Sequence, residues 1–306
     1  MKSMYTIDLA RAGQGIHEEL VAYVADQQDY YAKEGVHVSL RDGTAWNVDR
    51  LRRVATIGLG RAVVSTMTDG VPWVALSVNT QHPLFWLMGR EKFPSVESLK
   101  EKENGKARKI GVHGPHTPPG AFERLVLRKH GVDPDRDVEC VVMYPGDYTR
   151  HLHCLTNGSL DAAFVGSTMA PELAAKDNRL RVLEFMGDDL QIPTVGIAVD
   201  PTYISPDDPA VTALVRANRR ALKTIHDDPE LSTRYIRALI PRLNIAQAQE
   251  HYERYIAPYF SPDGYYDPNF AVPVLSAVAK ELGVSKAPDA ASFYRTDLPT
   301  SQQESA

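Results

Sequence analysis

Chemistry in this chain could come from hydroxyl and imidazole side chains that sit where apolar runs give way to helix-start signals. The clearest such stretch opens KIGVHGPHTPPGAFERLVLRKHG and closes LDAAFVGSTMAPELAA, between Lys109 and the residues after Thr168. In both halves a strand-like run passes through a turn into a helix. Backbone N–H groups left free at a helix start suit an anionic or polar ligand. Thr117 stands before Pro118-Pro119, so it is expected to cap a helix and present its hydroxyl beside His116. Ser167 and Thr168 hold the same position before a helix expected near Met169. His113 reads as a strand end, its nitrogens satisfied inside.

Other reactive residues carry less. Arg150, His153 and Cys154 share a helix face at offsets of three and four, while His151 points elsewhere. A metal would want a further histidine or carboxylate at matching spacing, and none is adjacent, so neither a metal nor a cofactor is expected. Gly58-Leu59-Gly60 lacks the spacing of a phosphate loop and reads as a tight turn. Cys140 and Cys154 match no zinc pattern and read as buried thiols in a strand and a helix.

The elements that must position these groups follow from pattern. A strand over Tyr5 to Leu9, a helix from Gly15 to Glu34 closed by Gly35, and a strand over Val36 to Leu40 make a strand–helix–strand unit and imply a parallel sheet. Two apolar strands, VPWVALSV and LFWLMGR, flank Asn79 to Pro83. A charged passage then reads as a helix running from Pro94-Ser95 to Asn104-Gly105 and leads into a second domain. Its strands fall near Ile110 to His113, Val138 to Tyr144, Asp161 to Val165 and Arg181 to Phe185. A strand over Thr194 to Val199 follows, then helices over Asp208 to His226, Pro229 to Leu239, Ile245 to Ala257 and Pro268 to Leu282, with a polar tail from Ser292.

Composition bounds the function. The 306 residues are 43% hydrophobic and 24% charged, ordinary for a folded chain with a sizeable core. A net charge of -5 with no basic stripe argues against a nucleic-acid surface. No run of about 18 apolar residues is present, so no membrane insertion is expected. The start MKSMYTIDLA carries no export signal, which makes the chain cytoplasmic as written and periplasmic or extracellular if a leader was removed.

The segments DQQDYYAKEGVHVSL, AVVSTMTDGVPWVALSVNTQHPLFWLMGR, KARKIGVHGPHTPPGAFERLVLRKHGVDPDRDVECV and NGSLDAAFVGSTMAPELAA, followed by QIPTVGIAV, together resemble the type II periplasmic-binding-protein fold. In style they are closest to the taurine, sulfonate, nitrate and NMT1/Thi5-like binding proteins, over about residues 5 to 235. The resemblance implies an α/β architecture of two lobes with mostly parallel sheets and two hinge crossings, near Pro83 to Arg90 and Gln191 to Ile197. Lobe one would be residues 1–87 plus 194–306 and lobe two 88–193, with a ligand cleft between them that closes like a hinge.

Ligands in open α/β sheets bind beyond the carboxyl ends of strands. By that rule the expected contacts are Gln14, His17, Trp46, Arg61 and His82 from lobe one. Lobe two would add His116, Thr117, Tyr144, Pro145, Tyr148, Ser167 and Thr168, with Gln191 on a crossing. The implied function is recognition of a small anionic or aromatic molecule, a sulfonate, carboxylate or thiamine-precursor pyrimidine, with an ABC-transporter permease as partner. The alternative is a cytosolic decarboxylase or other lyase with His17, His82 or His116 as general acid or base. Two enzyme groups of this fold fit poorly. Thi5-like pyrimidine synthases carry a CCCFC motif that two scattered cysteines cannot supply. Sulfinate desulfinases use a cysteine in the first strand-to-helix loop, which here reads ARAGQGIHEE.

Overall fold

The computed structural model describes residues 4–144 and 146–297, so Pro145 and the end of the polar tail lie outside the described residues. The chain divides into two compact units. Unit one holds the residues up to Gln81, Ile192–Val272 and those from Pro288; unit two holds His82–Gln191 and Pro273–Ala287.

Unit one begins with β1 (Tyr5–Arg11), α1 (Ile16–Gln27), α2 (Tyr30–Lys33), β2 (Val36–Asp42), α3 (Val48–Leu51), β3 (Ala55–Thr56), α4 (Leu59–Asp69) and β4 (Val74–Thr80). Unit two follows with β5 (Phe85–Arg90), β6 (Arg108–Val112), α5 (Pro118–Lys129), β7 (Val138–Val142), α6 (Tyr148–Thr156), β8 (Ala162–Gly166), α7 (Pro171–Asn178), β9 (Leu180–Phe185) and α8 (Met186–Asp189). The chain then returns with β10 (Val195–Val199), α9 (Pro209–Asp227), α10 (Pro229–Leu239) and α11 (Ile245–His251), and ends with α12 (Val272–Glu281) and α13 (Ala290–Phe293).

Each unit is built on a five-stranded sheet. Sheet one has the order β2-β1-β3-β10-β4 and sheet two β7-β6-β8-β5-β9. In sheet one β2, β1 and β3 are parallel, and β10 runs antiparallel to both β3 and β4. In sheet two β7, β6 and β8 are parallel, and β5 runs antiparallel to β8 and β9. The sheets are therefore mixed, each with a parallel half produced by strand–helix–strand crossovers.

Several expected elements are broken by identifiable backbone features. The first helix stops at Gln27 because Asp29 is left-handed, with φ of 56°, a conformation Asp tolerates; only a short turn of helix follows before Gly35, whose φ of 79° is the expected glycine stop. The charged passage after Arg90 is not a helix ending at Asn104-Gly105 but a single 3₁₀ turn over Glu97–Lys100. Asn104 and Gly105 both have positive φ and close a tight turn between Glu103 and Lys106, which is what an Asn-Gly pair does in a hairpin. The helix expected over Ile245 to Ala257 widens into a π turn at Tyr252–Ile256, and that over Pro268 to Leu282 opens with a 3₁₀ turn at Pro268–Ala271.

The core of unit one lies between sheet one and the helices α1, α9 and α10. Tyr23 meets Tyr235 edge to face at 5.3 Å, and the Gln28 amide donates to the Tyr235 hydroxyl at 2.7 Å. In unit two Trp86, fully buried on β5, lies against Phe185 with ring centroids 4.8 Å apart. Glu281 of α12 takes Arg124 and Arg128 of α5 at 3.0 and 2.6 Å, which fastens this C-terminal helix to unit two. Among the described residues no helix is long and apolar enough to cross a membrane.

Candidate functional site

Strand order fixes where each sheet can hold a ligand. In sheet one the chain leaves β1 for β2 on one side and comes back to β3 on the other; in sheet two β6 is flanked by β7 and β8 in the same way. At such a switch point the connections after the two neighbouring strands run apart and leave a crevice beyond the strands' carboxyl ends. The junctions involved are Ala12–Gly15 and Ile57–Gly58 in unit one. In unit two they are His113–Thr117 and Ser167–Ala170.

In unit one glycine lets the two junctions meet. A Cβ on Gly58 would lie 2.2 Å from the Ala12 Cβ, so the Gly58-Leu59-Gly60 turn needs its first glycine for close approach. Arg61, in the first turn of α4, spreads its guanidinium over backbone carbonyls, with Nη1 to Gly43 at 3.1 Å and to Ala12 and Thr44 at 3.4 Å, and Nη2 to Trp46 at 2.5 Å. It thereby ties the β1 and β2 loops together. Trp46 is half-buried under the Arg50 guanidinium, 3.9 Å from its ring centroid, and Gln14 is exposed in the β1 loop. His17 is buried, and burial pushes its imidazole down to about 4, so it is neutral near pH 7.

The sequence gives little hint of Glu18. Its side chain is buried in the first turn of α1, and burial raises the carboxyl to about 8 against the opposing pull of Arg11 and Arg61.

In unit two Thr117 caps α5 as expected. Its hydroxyl accepts from Gly120 N–H at 3.2 Å and donates to the Gly114 carbonyl at 2.7 Å. His116 and Thr168 are exposed, Tyr144 is 73% exposed, and Gln191 is exposed at the end of the unit. Ser167 is fully buried in a 3₁₀ turn over Ser167–Met169, so the helix after it starts at Pro171, past the left-handed Ala170. His82 shares a 2.7 Å hydrogen bond through Nδ1 with the Gly187 carbonyl.

Tyr148 joins a buried polar cluster that sequence reasoning largely missed. Glu123 of α5 takes both the His113 backbone N–H at 2.8 Å and its Nδ1 at 2.5 Å, while Nε2 faces the Tyr148 hydroxyl at 3.4 Å. His113, Glu123 and His151 are all buried. Burial opposes charge on His113, but the field and hydrogen bond of Glu123 outweigh it, and the net shift is upward. His151 sits 6.1 Å from His113 and 5.5 Å from Tyr148 between ring centroids; its Nδ1 bonds the Phe164 carbonyl at 2.7 Å and its buried Nε2 has no partner among the described residues. Burial lowers this imidazole to about 4. Carboxylate, imidazole and phenol in line are a constellation that can position a proton.

Glycine also shapes this junction. A Cβ on Gly120 would stand 2.0 Å from the Gly114 carbonyl oxygen, and backbone cannot step aside cheaply. Gly120→Ala is expected to cost about 1–3 kcal/mol, at the upper end of that range. Urea unfolding checks it: an unchanged midpoint would mean the His113–Thr117 loop yields.

Among the described residues one group has metal-ligand proximity, His130 with Glu184 and Asp189. Its imidazole bonds Glu97 through Nδ1 at 2.8 Å and Asp189 through Nε2 at 3.0 Å, and these carboxylates raise it despite partial burial. Both ring nitrogens thus face carboxylates, the geometry of an ion-pair cluster. Cys140 and Cys154 are free and only half-buried; β7, which carries Cys140, is an edge strand.

Two mixed sheets with helices, in this strand order, define the two-lobe periplasmic-binding-protein fold. The sequence matches the NMT1/THI5-like family over residues 18–232, and the chain belongs to that family. No curated protein matches it. Among solved structures it is similar to a protein from Bordetella bronchiseptica RB50, with a TM-score of 0.73, 19% identity and 94% of each chain covered. It is also similar to the periplasmic aliphatic sulphonate binding protein SsuA from Escherichia coli, with a TM-score of 0.72 and 13% identity over 95% of this chain and 92% of that one. The desulfurization enzyme DSZB has a TM-score of 0.66 and 15% identity, with 91% of each chain covered.

Proposed function

We propose that the chain binds a small organic molecule, anionic or aromatic, as the substrate-binding protein of an ABC importer, at the carboxyl ends of the parallel strands of its two sheets. The class of ligand would be a sulfonate, a carboxylate or a thiamine-precursor pyrimidine, and the partner a transporter permease met outside the inner membrane. The observation that carries this reading is that both sheets, independently, have buried polar side chains at the switch point: Glu18 in one, His113 and Ser167 in the other. The likeness to SsuA, a sulphonate-binding protein, supports the ligand class.

A thermal-shift screen across sulfonates, aromatic carboxylates and pyrimidines tests it, because a ligand that binds only the folded state raises the melting temperature. Silence across all three classes would overturn it. A second reading, acid–base chemistry on the bound molecule, is favoured by the carboxylate that orients His113. Mass analysis of the ligand recovered from the protein separates the two, since only conversion changes its mass or its isomer.

A further inference from the structure

Glu18 does more than finish a helix. It is the third residue of α1, and its carboxyl folds back over the β1–α1 loop to take the Gly13 backbone N–H. A Cβ on Gly13 would stand 2.6 Å from Oε1, so the loop needs glycine there to admit the carboxyl. One oxygen is thus in structural use. The other, Oε2, is buried and has no hydrogen-bond partner among the described residues, in a side chain only 6% exposed. An unpaired buried carboxyl oxygen is costly.

The charged neighbours do not answer it. Arg11, at the end of β1, is paired with Glu19 of α1, and Arg61 of α4 is spread over carbonyls of the β1 and β2 loops. His17 beside it is neutral near pH 7. Because one oxygen accepts the Gly13 N–H, the proton of the neutral acid goes to Oε2 and turns it into a donor with no acceptor among the described residues. The arrangement also lies at the switch point of sheet one, in the first turn of α1. Two arginines and Glu19 leave one net positive charge while Glu18 is neutral, and none once it ionises.

We propose that Glu18 is the anion-reading group of unit one: as a neutral acid it donates a hydrogen bond from Oε2 to a sulfonate or carboxylate oxygen of the bound molecule, so that binding is coupled to a proton. This rests on the reading that the ligand is a small organic acid, and adds the group that recognises it and the sign of its pH dependence. The carboxyl sits at about 8 when the site is free. An anion held by the neutral form raises it further, so binding takes up protons above that pH and weakens as the acid ionises.

The test uses the full chain with ethanesulfonate, benzenesulfonate and benzoate as probes, titrated calorimetrically in wild type, Glu18→Gln and Glu18→Ala. Above about pH 8 the probe that binds is expected to lose about tenfold in affinity per pH unit, with proton uptake seen as a heat that differs between two buffers. Glu18→Gln keeps an N–H donor in that place, so it is expected to bind within about threefold of wild type near neutral pH, with a flat pH profile. Glu18→Ala is expected to bind at least about tenfold more weakly there, since it has no donor. Melting curves without probe verify that both variants fold, and the Gln variant decides the matter if the Ala variant does not. A probe that binds wild type with a flat profile and no proton uptake overturns this proposal and leaves the ligand class standing. So does a Gln variant as weak as the Ala variant. Failure of every probe at every pH overturns both.

Discussion

Glu123→Ala is expected to lower the unfolding free energy by about 3–5 kcal/mol, the range for removing one partner of a buried charged pair. Glu123 is fully buried and holds His113 twice, through the backbone N–H and through Nδ1. Alanine leaves both donors buried without an acceptor, and water has no easy route to them. Glu123→Gln keeps the shape and one acceptor and should cost less. If the cost lies in orphaned donors, His113→Phe in the Ala background recovers part of it, a coupling that a double-mutant cycle measures. The pH dependence has a definite sign. His113 has a raised folded value, so the pair's contribution is fully present below the unfolded value of 6.5 and is lost as pH rises through the folded one. Glu123→Ala is therefore more damaging near pH 6 than near pH 9. Urea midpoints at the two pH values check both claims, and a loss below about 1 kcal/mol at the lower pH would reduce the pair to a surface-like contact.

How much of this could be read from sequence depends on the distance over which each signal acts. The Thr117 cap and the Gly35 stop are written within a few residues of themselves, and both are found as expected. Asn104-Gly105 is equally local, but the same dipeptide ends a helix or turns a hairpin; which one depends on whether the flanks pair, as Glu103 and Lys106 do. The contact of His113 with Glu123 spans ten residues and exists only because α5 folds back along β6, so a periodicity argument cannot see it. His151, read as pointing away from the Arg150 face, does point away, and in doing so it reaches the Phe164 carbonyl and the buried cluster. Glu18 is masked by its neighbour in sequence: His17 stands out as an imidazole, yet the buried oxygen without a partner among the described residues belongs to the next residue. His17, His82 and His116 illustrate one physical point. A histidine near a strand end can be buried and neutral, bonded to a carbonyl, or exposed, and residue type does not choose among these.

Stability is expected to fall steeply in mild acid, by roughly 4 kcal/mol between about pH 6 and pH 4.5, from groups named above and one more. His17, His151 and His251 are buried, and burial lowers each from 6.5 to about 4. Between those values the unfolded chain binds a proton at each site and the folded chain does not, so stability drops as pH falls, by about 1.4 kcal/mol per unit for each group. Glu18 works the other way. Its folded value of about 8 lies above the 4.5 of a free carboxyl, so its contribution is fully present below 4.5 and is lost as pH rises toward 8. Three groups against one leave a net slope of two, roughly 3 kcal/mol per pH unit. Staying above pH 4.5 leaves most of the contribution of carboxylates with lowered values, such as Glu97 and Asp133, in place, because it is lost mainly below that pH. Denaturant midpoints across this window give the slope. His151→Asn and His251→Asn should each flatten it by one group, and Glu18→Gln should steepen it by one. A midpoint that stays level from pH 6 to pH 4.5 in the wild type would mean that water reaches these imidazoles in the folded protein.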